Sequence, residues 1–251
     1  MNLKAKIAAG DPVLGSFLKT PSAMLVEVLA RADLDCLCLD AEHAPFDRSQ
    51  IDQCALAARA AGLPLVVRPQ HSSADQILNA LDCGATGLLL PHIRSGREAS
   101  DAVRHGHYGP GGRGYAGSSR AAGYGAKDMQ DILSTAADQT VLIAQIEDRE
   151  ALDDMDAIAA TEGLDALFIG MMDLTVALDC DNYRDARVQD AVAHILKSAK
   201  EAGKPVGLFT PSLDDIPTYR GQGASLFLLG SDHAFMLSGA RALTEKVRGL
   251  L

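Results

Sequence analysis

Short apolar runs alternate with helical patterns of mixed polarity from one end of the chain to the other. The runs are continuously apolar, which is typical of strands that are covered on both faces, as in a parallel sheet. Eight of these runs are predicted to form strands, at 13–19, 34–40, 63–69, 86–92, 141–147, 165–170, 204–210 and 225–232.

A helical pattern follows each run. Thr20 and Pro21 suit the N-cap and the first position of the first helix, because proline is common at that position. Eight strand–helix units in a chain of 251 residues are typical of a (β/α)8 TIM barrel. The later helices are predicted at 49–61, 73–83, 95–105, 148–162, 185–202, 213–222 and 233–249.

An open, doubly wound α/β sheet is the alternative, but no glycine-rich nucleotide turn follows the first run. No linker or low-complexity tract interrupts the pattern, so residues 1–251 are predicted to form a single barrel domain.

One segment, 106–125, is unusual because it contains eight glycines, three tyrosines and two arginines. It is either a flexible surface excursion or a loop that shapes the site or contacts a neighbouring subunit. We favour the second, because long loops in compact domains tend to be functional.

Composition narrows the classes of function. The formal net charge of −10 argues against a nucleic-acid-binding protein, which needs a basic surface. The five cysteines form no CxxC motif, so we expect small buried side chains in a reducing compartment. The N-terminus lacks the apolar region of a signal peptide, and no apolar run is long enough to span a bilayer. We therefore expect a cytoplasmic protein without nucleic-acid or membrane partners.

Two carboxylates stand at the ends of apolar runs. Glu147 closes the run 141–147, and Asp173 comes just after the run 165–170. A buried strand has no structural use for a carboxylate at its tip, whereas Mg²⁺ and Mn²⁺ prefer oxygen ligands. The pair predicts a divalent-metal site. The alternative is a helix N-cap at Asp173 and a solvated charge at Glu147.

Other reactive side chains fall at the same strand ends. In a barrel the chemistry takes place at the carboxyl ends of the strands, whereas the amino ends serve stability. The amino ends of the predicted strands carry ordinary turn and capping residues. This asymmetry favours an enzyme. The carboxyl ends carry Lys19, Asp40, Glu42, His43, Arg68, His92, Glu147, Asp173, Phe209, Thr210, Ser231 and Asp232.

Five motifs resemble one family in order and spacing. They are DAEHAP, VVRP, LDCGATGLLLP, AQIED and FIGMMDLT, which together extend over most of the chain. The chain resembles the HpcH/HpaI class II pyruvate aldolases, which act on 4-hydroxy-2-oxoheptanedioate, 2-keto-3-deoxysugar acids and related hydroxy-keto acids. The resemblance implies a (β/α)8 barrel and a divalent metal (Mg²⁺, Mn²⁺ or Co²⁺). It also implies reversible cleavage of a 4-hydroxy-2-keto acid to pyruvate, or hydroxypyruvate, and an aldehyde through an enolate.

The resemblance also implies residue roles. Glu147 and Asp173 correspond to metal ligands, Arg68 to the contact with the pyruvate carboxylate and enolate, and His43 to the base. The implied acidic partners of His43 are Asp40 and Asp82. Asp82 precedes the fourth strand, about one strand length from His43, so it would have to come from a neighbouring subunit of the hexamer that is typical of this family.

The cavity itself is expected to bind the keto acid and the aldehyde. Gln145, Gly170, Met172 and Phe209 are the further predicted substrate contacts. The turn Gly170–Asp173 is predicted to open a helix at Leu174, so its main-chain N–H groups are expected to receive the substrate carboxylate. The chain departs from the family at two places. Met171 stands where the family has proline, and Phe209 is larger than expected, which affects the aldehyde preference more than the chemistry.

Three other functions remain open. A class I aldolase would form a Schiff base, for which Lys19 is the only lysine near a strand's carboxyl end. A CoA-ester lyase of the citrate-lyase β type would need a basic CoA groove, and no basic cluster is present. A keto-acid-binding barrel without catalysis would retain the metal but would not exchange the methyl protons of pyruvate.

Overall fold

The chain forms a closed barrel of eight parallel strands in sequence order, in a computed structural model that describes residues 2–251. Every strand hydrogen-bonds with its two neighbours in the chain order, and β8 closes the barrel on β1. The prediction of a (β/α)8 barrel is therefore confirmed. The strands are β1 Val13–Leu18, β2 Cys36–Asp40, β3 Leu65–Arg68, β4 Gly87–Leu90, β5 Val141–Ile146, β6 Ala166–Ile169, β7 Val206–Leu208 and β8 Ala224–Ser231.

Helices connect the strands, and they cover most of the barrel. In chain order they are α1 Leu3–Ala8, α2 Ala23–Leu29, α3 Arg48–Ala61, α4 Ala74–Asp82, α5 Gly96–Gly106, α6 Met129–Gln139, α7 Arg149–Asp153, α8 Met155–Ala160, α9 Met171–Ala177, α10 Ala186–Glu201, α11 Ile216–Gly221 and α12 Asp232–Arg248.

The core consists of two apolar layers, which explains why the strands lack a polar face. One layer lies between the strands and the surrounding helices. The other fills the interior of the barrel, where Phe17, Ile143 and Phe168 pack together. Leu3 and Ile7 of α1 belong to this inner cluster. Side chains therefore fill the barrel, and a substrate has access only beyond the strand ends.

The first predicted helix start is wrong. The helix α2 begins at Ala23, and its N-cap is Ser22, whose hydroxyl accepts a hydrogen bond from the N–H of Leu25. The Thr20 hydroxyl does not cap this helix and instead contacts the ring of His233 at 3.0 Å. Pro21 consequently lies one residue before the cap instead of inside the first turn.

Two further predicted helices differ from the structure, and α1 and α6 were not predicted from the sequence. The helix predicted at 148–162 is divided into α7 and α8 at Asp154, whose backbone is not helical. The Asp154 carboxylate accepts a hydrogen bond from the N–H of Gly96, at the start of α5. The helix after Gly170 begins at Met171, three residues before the predicted start at Leu174.

The glycine-rich segment connects α5 to α6 and thus precedes β5. Its Tyr108, Arg113 and Arg120 line a cavity together with Thr86 and Thr140, the residues just before β4 and β5. This position is at the amino ends of the strands. Within one chain the segment therefore does not shape the cavity at the carboxyl ends, and its predicted contact with a neighbouring subunit stays a prediction.

The last helix has little contact with the barrel. Asp232 is buried at its start and accepts hydrogen bonds from the N–H groups of Lys19 and Thr20, but every residue of α12 from His233 onward is exposed. The exposed apolar side chains include Phe235, Met236, Leu237, Leu243 and Val247. Within residues 2–251, no helix has both the length and the apolar character that crossing a membrane requires.

Candidate active site

A cavity of about 340 Å³ opens at the carboxyl ends of the strands. Lys19, Phe17 and Phe168 contribute to its wall, together with residues that follow β6 and β8. The barrel thus brings most of the predicted site residues into one space, although they come from five different parts of the chain. The predicted residues that line it are His43, Arg68, Gln145, Gly170, Met172, Asp173 and Phe209.

Arg68 is fixed at the end of β3 by the last residue of the neighbouring strand. Asp40 lies in register with Arg68, and the guanidinium donates from Nε to Oδ1 at 3.0 Å and approaches Oδ2 with Nη2 at 2.9 Å. Lys19 Nζ lies 3.1 Å from the same carboxylate. Burial alone would raise the pKa of Asp40, but the hydrogen bond and charge of Arg68, with Lys19, hold it below its ordinary value. Asp40 is therefore an anion that orients the arginine.

His43 lies in the turn after β2, with its ring partly exposed. Its main-chain N–H donates to Asp40 Oδ1 at 3.2 Å, while its Nε2 lies 3.5 Å from Glu42 Oε2. Asp40 thus contacts the backbone of His43, and the carboxylate near the ring is that of Glu42. Burial and the charge of Arg68 lower the pKa of His43, which favours the neutral imidazole that a base requires.

Glu147 lies directly after β5 and is almost completely buried. Gln145 Nε2 donates to its Oε2, and the N–H of His92 donates to its Oε1 at 2.9 Å. Gly170 makes room for this carboxylate, because a Cβ there would lie 2.8 Å from Glu147 Oε2. Burial and the charge of Asp173 raise the pKa of Glu147 despite the opposing effect of His92. Asp173 itself is in the first turn of α9.

The donor set around Glu147 and Asp173 fits a divalent cation. Asp173 lines the cavity, and the Glu147 carboxylate is buried directly behind the lining residues Gln145 and Gly170. A buried anion with a raised pKa is an environment in which a cation would be favoured. The buried Gln145 Oε1 has no hydrogen-bond partner among residues 2–251 and offers a further oxygen. Hard oxygen ligands of this kind suit Mg²⁺, Mn²⁺ or a similar ion.

Glu42 and His92 make contacts in the site that the sequence analysis did not predict. The sequence analysis placed Glu42 at a strand end without giving it a role, but its side chain is only 8% exposed and lies 3.3 Å from Arg68 Nε. His92 contacts Glu42, Glu147 and Asp148 through its ring. Burial and the nearby charge of Glu147 raise the pKa of Glu42 to about 7, although Arg68 opposes this. In the sequence, the available signal for these contacts was that Glu42 and His92 come just after β2 and β4.

Asp82 lies apart from this cavity. It is the last residue of α4, and its Oδ1 forms a 2.5 Å ion pair with Arg113 Nη2 of the glycine-rich segment. Asp82 and His43 of the same chain are at opposite ends of the barrel, as the sequence analysis anticipated. A role for Asp82 beside His43 therefore requires a second subunit.

Known proteins share both the sequence and the barrel. A family profile described as HpcH/HpaI aldolase/citrate lyase matches residues 14–238. A hydroxypyruvate/pyruvate aldolase from Paraburkholderia phytofirmans is 37% identical, with 98% of this chain and 97% of that protein aligned. A 5-keto-4-deoxy-D-glucarate aldolase from Salmonella paratyphi A is 36% identical, with 97% and 94% aligned.

A solved structure gives the same result. The crystal structure of an HpcH/HpaI aldolase/citrate lyase family protein from Burkholderia cenocepacia has a TM-score of 0.92 and 35% identity, and the match covers 98% of each chain. The family resemblance of the sequence motifs is therefore confirmed. On this similarity and the shared fold, the chain belongs to the HpcH/HpaI aldolase/citrate lyase family and is an aldolase-type lyase.

Proposed function

We propose that this protein is a divalent-metal-dependent aldolase that reversibly cleaves a 4-hydroxy-2-keto acid to pyruvate, or hydroxypyruvate, and an aldehyde. The observation that carries the proposal is that Asp173 and Arg68, which Asp40 fixes, line one cavity, with the buried Glu147 carboxylate directly behind the lining residue Gly170. Glu147 and Asp173 would hold Mg²⁺, Mn²⁺ or Co²⁺, which when bound supplies Lewis acidity toward the keto oxygen.

Arg68 would bind the keto acid and stabilise the negative charge that develops when the carbon–carbon bond breaks. Its Nε and Nη2 are engaged by Asp40, whereas Nη1 has no hydrogen-bond partner among residues 2–251. Because Asp40 fixes the guanidinium before substrate arrives, little reorganisation is needed as the enolate forms. The Phe17 ring, whose centroid is 5.0 Å from Arg68 Cζ, limits the movement of the guanidinium on another side.

His43 is the proposed base. It would remove the proton from the 4-hydroxyl group, directly or through a water molecule, as the bond between C3 and C4 breaks and the aldehyde forms. The electron pair of that bond becomes the enolate of pyruvate, and a proton returned to C3 completes the reaction. The neutral state of His43 that burial and Arg68 favour suits the first of these steps.

The aromatic wall would select the aldehyde. Phe209 follows β7 and packs edge-on against Phe17, with ring centroids 6.3 Å apart. Met172 also lines the cavity and is about half exposed. Neither group carries a cation that would bind a second carboxylate, and the ammonium of Lys19, which also lines the cavity, is paired with Asp40. We therefore expect short, uncharged aldehydes to be preferred.

We also propose that the working enzyme is a cytoplasmic homo-oligomer, with a hexamer as the expected form. The five free cysteines are compatible with a reducing compartment. The exposed apolar side chains of α12 offer a surface for a second subunit. In such an assembly Asp82 of one subunit would lie near His43 of another.

A product analysis tests the proposal. The metal-free enzyme is mixed with pyruvate or hydroxypyruvate and a panel of aldehydes, with and without Mn²⁺, and the products are identified by mass spectrometry and NMR. We expect 4-hydroxy-2-keto acids only when metal is present, and none from an Asp173→Asn variant. Equal product formation without metal, or trapping of pyruvate on Lys19 by borohydride, would contradict the proposal and favour Schiff-base chemistry.

A further inference from the structure

Glu147 faces different groups with its two carboxylate oxygens. Oε2 lies toward Gly170 and the turn that carries Asp173. Oε1 lies toward His92, whose N–H donates to it at 2.9 Å and whose Nδ1 is 3.5 Å away. The second oxygen therefore belongs to a separate group of side chains, formed by Glu42, His92 and Glu147, which we call the His92 cluster.

The His92 cluster has the dimensions of a metal site. One ligand atom from each of its three residues lies within 4.8 Å of the other two, and His92 Nε2 is 3.2 Å from Glu42 Oε1. Zinc binds nitrogen and oxygen ligands at about 2.0 to 2.2 Å, so two ligands of one ion lie at most about 4.4 Å apart. A shift of a few tenths of an ångström would thus allow all three residues to bind one cation.

The surroundings of His92 are those of a metal-binding histidine. Such a histidine usually presents one ring nitrogen to the metal and bonds a carboxylate with the other. Here Nδ1 contacts Asp148 Oδ2 at 2.9 Å, and Arg94 holds the same oxygen at 3.3 Å. The ring orientation is therefore fixed from outside the cluster, with Nε2 on the side of Glu42.

A second observation concerns Glu42. Its side chain is more than nine-tenths buried, yet Oε2 accepts no hydrogen bond and is approached only by the more distant ion-pair contacts of Arg68 and His43. His92 is also one of the few non-glycine residues with a left-handed backbone, at φ 55°. Residues held in this conformation often occur at functional sites.

We propose that Glu42, His92 and Glu147 form a second divalent-cation site that adjoins the one formed by Glu147 and Asp173. An imidazole ligand suits borderline ions such as Zn²⁺, whereas the oxygen-only pair suits Mg²⁺ or Mn²⁺. This second site rests on the proposed function only in one respect, which is that it shares Glu147 with the metal site of that function. Because they share this residue, Zn²⁺ in the His92 cluster competes with productive occupation of the Asp173 site and inhibits the Mg²⁺-supported reaction.

Zinc binding to variants that lack the oxygen-only site isolates the second site. Zn²⁺ is titrated by calorimetry into metal-free Asp173→Asn enzyme and into the double variant Asp173→Asn, His92→Asn. Asparagine is chosen because it tolerates a left-handed backbone. We expect one Zn²⁺ per chain in the single variant and at least about a 10-fold weaker affinity in the double variant. X-ray absorption of the single variant should show an imidazole ligand.

The control replaces a surface imidazole outside the cluster, His194→Asn, in the Asp173→Asn background, and Zn²⁺ affinity should not change. Equal Zn²⁺ affinity in the Asp173→Asn enzyme with and without His92 would overturn the second site. No zinc binding by the Asp173→Asn enzyme would overturn it as well. The proposed function is tested separately, by Mg²⁺-dependent turnover of the wild-type enzyme in the absence of zinc.

Discussion

Arg68 is the residue whose chemistry depends most clearly on a neighbour. Its paired contacts with Asp40, both at about hydrogen-bond distance, match the planar fork of a guanidinium to a carboxylate. Lysine has one nitrogen and cannot reproduce this geometry while also reaching a substrate oxygen. Under the proposed function, the fixed orientation of Arg68, more than its positive charge, is the property that the site would use.

Replacing Arg68 by lysine separates charge from geometry. We expect Arg68→Lys to lower kcat at least about 10²-fold, as expected for loss of a preorganised donor to a developing oxyanion. Metal affinity should change much less, because Glu147 and Asp173 are retained. Steady-state kinetics with saturating Mn²⁺ measure the effect, and Arg94→Lys is the matched control. A kcat close to that of the wild type would reduce Arg68 to a structural ion-pair residue.

The sequence could predict residues whose role follows from a strand end. Arg68, Gln145 and Asp173 line the cavity because the carboxyl ends of all strands meet there. The sequence did not predict the contacts of Glu42 and His92. Those contacts depend on turn conformation, such as the left-handed backbone of His92, and on the burial that encloses Glu42. Neither this backbone conformation nor this burial produces a periodic pattern or a fixed residue spacing that could be recognised in the sequence.

At the scale of the elements, the turn from β6 into α9 determines how closely Asp173 approaches Glu147. Gly170 is the N-cap of α9, and its N–H donates to the carbonyl of Ile146. A Cβ at Gly170 would meet Glu147 Cβ at 2.6 Å. Other residues could adopt the backbone conformation of Gly170. Glycine is therefore required there because a side chain would prevent the close approach of the two elements.

A Gly170→Ala substitution should displace Glu147 without unfolding the barrel. We expect metal affinity to fall at least about 10-fold, in the range found when groups that orient metal ligands are removed. Calorimetric titration with Mn²⁺ measures this, and circular dichroism monitors the fold. Gly221→Ala is the matched control, because a Cβ there has no neighbour within 4 Å. Unchanged Mn²⁺ affinity in Gly170→Ala would show that Glu147 is not placed by this turn.

Element boundaries were the less predictable part of the fold. The eight strands lie within one or two residues of their apolar runs, since a strand that is buried on both faces must be apolar throughout. Helix starts depend on which side chain is free to cap. Ser22 takes the place of Thr20 as the cap, and Thr20 contacts His233, a residue 213 positions away in the chain. A local pattern contains no information about such a partner.

The exposed helix α12 provides a test of assembly. Helices gain most of their stability from packing of an apolar face, and α12 leaves its apolar residues uncovered in a single chain. We expect Leu243→Lys to weaken the oligomer and to shift the mass measured by light scattering toward smaller species. Glu245→Lys on the same helix is the control for added charge. An unchanged mass for Leu243→Lys would exclude this face from the interface.

At the scale of the whole molecule, barrel closure brings together residues from distant parts of the chain. It also places far apart some residues that the family resemblance gives as partners. Asp82 is the clearest example, because its ion pair with Arg113 lies away from the carboxyl-end cavity. A single chain therefore supplies the predicted metal ligands and base but not this acidic partner. If Asp82 acts on His43, the complete site is a property of the oligomer.

Mixed oligomers test this shared site. His43→Ala and Asp82→Ala should each be nearly inactive alone. When the two are co-assembled, some interfaces pair an intact His43 with an intact Asp82, so partial activity should return. Activity is measured on mixed oligomers whose composition is verified by differently tagged subunits. No recovery in such oligomers, or full activity of a monomer, would contradict a role for Asp82 across the interface.

The central claim is that this chain uses a metal held by Glu147 and Asp173 to form the enolate of pyruvate. Proton NMR of pyruvate in D₂O tests it most directly, because enolate formation exchanges the methyl protons without any aldehyde. After dialysis against EDTA we expect no exchange, and added Mg²⁺ should restore exchange in the wild type but not in Asp173→Asn. Metal-independent exchange, or equal exchange by Asp173→Asn, would contradict the account.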